Sequence, residues 1–95
     1  MSDVIKAAVK TLNEKLTDGF DGLAKFRIED EGGIIVDADG ARAGDDDADV
    51  TLTADADTFQ SMMTGDLNPT AAFMTGKLAV DGDMGLAMKL GALLA

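Results

Sequence analysis

From Met84 to the end of the chain one polar side chain, that of Lys89, interrupts an otherwise apolar or glycine-bearing stretch. Wound as a helix at about 100° per residue, Leu86, Leu90 and Leu93 form one stripe, while Met84 and Met88 fall nearly opposite. A helix that is apolar on two opposed sides has to bury both. One side can pack on a sheet. A chain of 95 residues has no second protein layer for the other side, so a ligand or a partner subunit must cover it.

The rest of the chain supplies that sheet. Ile5, Ala8, Val9, Leu12 and Leu16 recur at helical spacing between Lys6, Lys10, Asn13 and Glu14, with Ser2 or Asp3 as N-cap and Gly19 ending the pattern. The period then changes to two from Leu23 to Glu29, with Ala24, Phe26 and Ile28 on one face and Lys25, Arg27 and Glu29 on the other. Gly32-Gly33 suits a reversal into a second strand, Ile34-Ile35-Val36. Asp37 to Gly40 turns the chain again, Ala41 to Gly44 is a short third strand, and Asp45 to Asp49 is a charged loop. Val50, Leu52 and Ala54 alternate with Thr51 and Thr53 as a fourth strand.

Helices dominate thereafter. Asp57 and Gln60 have capping-box spacing for a helix closed by Gly65. Asn68 caps the next, with Pro69 at its first position and Gly76 past its end. Leu78, Ala79 and Val80 make a last strand, and Asp83 opens the final helix. No linker or repeat divides the chain, which predicts one domain over residues 1–95. Strands first and helices later predict an α+β fold: a five-stranded, mainly antiparallel sheet with helices covering one face.

The residues that are missing narrow the chemistry. Cysteine and histidine are both absent, which removes thiolate nucleophiles, disulfides, the commonest metal ligand and the commonest general base. The serines and threonines have no histidine to activate them, and the carboxylates sit in turns and caps where water keeps them ionised. No catalytic residue and no cofactor is therefore expected. The acidic run Asp37, Asp39, Asp45, Asp46, Asp47 and Asp49 lacks EF-hand spacing: Gly40 falls at the fourth position, and no closing glutamate follows. It reads as a solvated loop without metal. A net charge of −10 repels nucleic acid and anionic membranes, and no apolar run approaches the ~18 residues of a membrane span.

The methionines are informative as a group. Met62, Met63, Met74, Met84 and Met88 all fall in the second half. Unbranched, polarizable side chains suit a wall that conforms to flexible alkyl chains, and they also serve as ordinary core filling. For the second apolar side of the final helix, a lipid tail is the economical cover and a dimer is the rival.

Five short motifs stand in a telling order: Met63-Thr64-Gly65, Asn68-Pro69, Ala72-Phe73, Gly76-Lys77-Leu78, and Met84-Gly85-Leu86-Ala87-Met88-Lys89-Leu90. Over roughly Ala54 to Leu90 the chain resembles the sterol carrier protein-2 family. That resemblance implies a lipid-binding domain with an apolar tunnel between a five-stranded sheet and its helices. Carried over by position, it implies Phe59, Met62, Met63, Phe73, Met74, Leu78, Val80, Met84 and Met88 as the lining. Lys77 and Lys89 are the matching basic positions for head-group contact. The ligand implied is a fatty acid, fatty acyl or sterol-like tail. The acidic surface favours fatty acids or neutral lipids over acyl-CoA. Many eukaryotic members end in a peroxisomal tripeptide; Leu93-Leu94-Ala95 does not match it, so a peroxisomal address is not expected, and the lack of a membrane span or signal-peptide h-region in the sequence points to the cytoplasm. The alternative is an interaction module or accessory subunit, whose final helix docks on a partner enzyme or forms a weak homodimer.

Overall fold

A computed structural model describes residues 3–94. Its elements run α1 (Asp3–Lys15), β1 (Ala24–Ile28), β2 (Gly32–Asp37), β3 (Gly40–Ala43), β4 (Val50–Ala54), α2 (Ala56–Thr64), α3 (Pro69–Met74), β5 (Ala79–Gly82) and α4 (Met84–Leu94). The five strands form one sheet in the order β3-β2-β1-β4-β5. The β1–β2, β2–β3 and β4–β5 pairs are antiparallel, whereas the central β1–β4 pair is parallel. The expected α+β architecture is present, with a sheet that is mixed at its centre.

Register explains which face is covered. Ala24, Phe26 and Ile28 stand beside Val50, Leu52 and Ala54, and these side chains share one buried cluster with Ile34 and Val36 of β2, Ile5 and Leu12 of α1, Phe59 of α2 and Leu90 of α4. The period-two pattern of β1 thus meets the helical stripe of α1 at a common core. The Phe59 ring meets Phe26 edge-on, centroids 5.3 Å apart, which ties α2 to the middle of the sheet. Asn13 fastens α1 to β3: its Oδ1 accepts from the Ala41 N–H at 2.8 Å, and its Nδ2 donates to the Ala41 carbonyl at 3.0 Å. Ser2, the other candidate cap of α1, lies outside the described residues.

Because β4 pairs with β1 and not with β3, the segment after β3 has to cross the sheet. Its path over the face away from the helices explains two burials that alternation alone misassigns. Ile35 is 1% exposed although Ile34 and Val36 point the other way, and Lys25 is 8% exposed. The Lys25 ammonium pairs with Asp45 of the crossing segment at 3.3 Å. Gly33 is needed here, since a Cβ would stand 2.5 Å from the Gly44 carbonyl oxygen.

Three local expectations shift. The β1–β2 reversal is made by Glu29 to Glu31, with Asp30 at φ 66°, while Gly32 and Gly33 lie within β2. Asp55, not Asp57, caps α2: its carboxylate accepts from the Thr58 N–H at 2.7 Å. A strand that ends at Ala54 leaves Asp55 as the first extended residue able to turn its side chain onto the new helix. That bond, reinforced by the Thr58 side chain and the Lys77 charge, holds the Asp55 carboxyl below its ordinary range. On α4, Leu93 is 44% exposed and is not part of the buried stripe; Ala87, Leu90 and Leu94 fill it.

Candidate functional site

The apolar side of α4 that the core does not take faces a cleft shared with α3, β5 and the edge of β4. Local chemistry builds each wall. Asn68 caps α3 by accepting from the Thr70 N–H at 2.8 Å, and Pro69 occupies the first turn. Gly76 at φ 80° then lets the chain fold back, so that the Lys77 and Leu78 N–H groups both donate to the Ala72 carbonyl, at 2.9 and 3.1 Å. That reversal buries Leu78 at the base of the cleft and delivers Val80 opposite Leu52 in the β4–β5 ladder. Asp83 starts α4 by accepting from the Leu86 N–H at 3.1 Å.

The resulting hollow is half-open and holds about 240 Å³. Of the nine expected lining residues, six meet here: Phe73, Met74, Leu78, Val80, Met84 and Met88. The other three lie elsewhere. Met62 is buried in the core at 1% exposure. Phe59 and Met63 belong to the core cluster and also edge a separate shallow hollow of about 170 Å³ between α1 and α2. Leu52, Pro69, Thr70, Ala87 and Gly91, none of them among the expected residues, complete the wall. A helical signal was available for two of them, because Met84, Ala87, Met88 and Gly91 fall at i, i+3, i+4 and i+7. Small residues at Ala87 and Gly91 leave the cleft its depth.

The electrostatics are one-sided. No ionisable side chain lines the cleft, and Thr70 brings its only hydroxyl. Neither expected basic position is among the lining residues. Lys77 acts on the Asp55 cap. Lys89 donates to the Asp21 carboxylate at 3.1 Å and to its carbonyl at 3.3 Å, with its ammonium 5.9 Å from the Phe20 ring centre. Such a site can desolvate an alkyl chain or a flat apolar skeleton; it offers no group to move a proton or hold a metal. Among the described residues no cluster of carboxylates has the geometry of a metal site.

Fold and cleft together define a small α+β unit whose exposed apolar side chains gather at a hollow beside α4. The chain belongs to the SCP-2 sterol transfer family, whose model matches residues 3–95. Hydroxysteroid dehydrogenase-like protein 2 of Xenopus tropicalis is 34% identical over 102 residues, covering 99% of this chain and 24% of that protein. Sterol carrier protein 2 of Homo sapiens is 33% identical over 96 residues, covering 90% of this chain and 18% of that protein. This chain thus spans a quarter or less of the length of these curated relatives. Among solved structures, sterol carrier protein-2 of Aedes aegypti in complex with a C16 fatty acid, palmitate, superposes with a TM-score of 0.79 at 25% identity, covering 100% of this chain and 97% of that one. The apo form of sterol carrier protein 2 from Yarrowia lipolytica gives a TM-score of 0.66 at 27% identity, covering 97% and 84%.

Proposed function

We propose that this domain is a non-catalytic lipid carrier, acting in the cytoplasm, which takes one fatty-acid or comparable apolar tail into the cleft between α3, α4 and β4–β5. One observation carries the reading. Among the described residues, the large apolar side chains left exposed are Phe73, Met74, Met84, Met88 and Leu93, and all but Leu93 line this single cleft. Scattered exposed apolar residues need no explanation, but a contiguous ring around a concave surface marks a binding site. Burial drives binding: at ~0.8 kcal/mol per methylene, a tail with about ten methylenes inside contributes roughly 8 kcal/mol, which association and ordering costs bring down to micromolar affinity or weaker. The palmitate complex of the Aedes aegypti relative supports the ligand class. With no ionisable lining group, length and bulk of the tail govern selection more than its head.

Native mass spectrometry of gently purified protein tests this. The expected species is a monomer carrying a lipid-sized adduct. A ligand-free dimer would overturn the proposal and make the cleft ring a subunit interface.

A further inference from the structure

Five methionines among the described residues fall into two classes. Met62 and Met63 are buried, at 1% and 8% exposure, whereas Met74, Met84 and Met88 stand at 79%, 44% and 71%. The three accessible ones all belong to the wall of the same cleft, on α3 and α4. Thioether oxidation follows access, and it converts a flexible apolar side chain into a polar one. Nowhere else among the described residues does oxidation have so concentrated a target.

Resting on the carrier reading, we propose that Met74, Met84 and Met88 form a sulfoxidation site for hydroperoxides, and that their oxidation releases the lipid. A sulfur lone pair attacks the distal oxygen of R–O–O–H. The S–O bond forms as the O–O bond breaks, and the proton on the transferred oxygen passes to the departing oxygen, which leaves as R–OH. Sulfur is oxidised by two electrons and the hydroperoxide is reduced by two. The sulfoxide oxygens then need hydrogen-bond partners, and Thr70 is the one polar side chain of the lining. They must turn to water, and a wall that has to face an alkyl chain becomes wet. Met84, the most enclosed of the three, has the least freedom to turn its sulfoxide outward.

The intact protein is treated with hydrogen peroxide or, in a parallel arm, with a fatty acid hydroperoxide. Sulfoxides are then mapped by peptide mass spectrometry, while circular dichroism and affinity for a fluorescent fatty acid are followed. Met74, Met84 and Met88 should gain oxygen before Met62 and Met63, and affinity should fall roughly tenfold or more with the fold intact. Methionine sulfoxide reductases should restore it. The triple variant Met74→Leu, Met84→Leu, Met88→Leu, compared only with its own starting affinity, should hold that affinity through the treatment. Faster oxidation by the fatty acid hydroperoxide, abolished by excess palmitate, identifies bound lipid as the oxidant's source; equal rates identify peroxide from solution. Unchanged affinity after complete sulfoxidation of the three overturns the inference, as does an equal loss in the triple variant or a loss that tracks unfolding. Absence of lipid binding before any oxidant is added would instead remove the carrier reading.

Discussion

Two substitutions a half-turn apart on α4 separate the core from the cleft. Leu90 is 0% exposed within the main cluster, while Met88 is 71% exposed on the cleft wall. Leu90→Asp removes ~1.5–3 kcal/mol of side-chain burial and places a carboxylate among apolar neighbours at a further cost of several kcal/mol. A 95-residue domain has a total stability on the order of 5–14 kcal/mol. The substitution consumes most or all of that, so Leu90→Asp should not fold. Leu90→Ala gives a measurable version: ~2–5 kcal/mol lost, which lowers Tm by roughly 8–40 °C in a domain of this size. Met88→Asp leaves its carboxylate in water and should cost under about 1 kcal/mol of stability, mainly through helix propensity. Against a bound tail the same carboxylate loses part of its hydration. In a half-open cleft that is worth about 1–3 kcal/mol, a weakening of roughly 5- to 150-fold. Thermal melts by circular dichroism and titration with a fluorescent fatty acid read the two effects separately. A Met88→Asp protein that is unfolded, or one that binds lipid as tightly as the parent, would refute this assignment of faces.

Further expectations address charge, caps and backbone. Because no ionisable group lines the cleft, affinity for a fluorescent fatty acid should hold or rise slightly with added salt; a steep fall would reveal a dominant ionic head-group contact. The Thr58 N–H holds the Asp55 carboxyl below its ordinary value, and bonds from Arg42 and the Asp39 N–H do the same for Asp37. Both folded-state values lie below the unfolded ones, so the stabilisation is complete above about pH 4 and is lost as pH falls through the folded-state values. Asparagine caps as well as aspartate, so Asp55→Asn should keep its Tm near neutral pH and lose part of the acid-induced decline; an unchanged acid profile would show that Asp55 does not contribute. Gly19 and Gly65 both have positive φ, but a Cβ on Gly19 would meet the Ala38 carbonyl oxygen at 2.2 Å while Gly65 has nothing within 4 Å. Gly65→Ala should therefore cost about 1–2 kcal/mol of backbone strain and Gly19→Ala clearly more, and equal melting temperatures would contradict this.

Element identity and order were legible because they rest on neighbours in sequence. The α1 stripe, the alternation in β1 and β4, the Asn68-Pro69 start of α3 and the Asp83 start of α4 are each local patterns, and each is realised. The same locality explains the shifted details. Asp55 and Asp57 are both competent caps, and only the end of β4 decides between them. Gly32-Gly33 looks like a turn, yet Gly33 is there for a backbone that approaches from another part of the chain.

From local patterning alone, α4 is apolar on more than one side, cysteine and histidine are absent, and the architecture is one sheet with helices on one face. Tertiary structure alone decided what each apolar side chain touches. Phe59, Met62 and Met63 carry the same chemistry as Phe73, Met74 and Met84, yet the first three join the core and the others line the cleft. Periodicity records that a residue avoids water, and it is silent on whether protein or ligand does the covering. Nor does alternation reveal that β4 lies beside β1. That pairing sends the acidic segment across the sheet over Ile35 and Lys25, because strand order is settled by contacts between residues far apart in the chain. Lys77 and Lys89 show the same limit: the pattern marks them as basic, and only their neighbours Asp55 and Asp21 determine where their charges act.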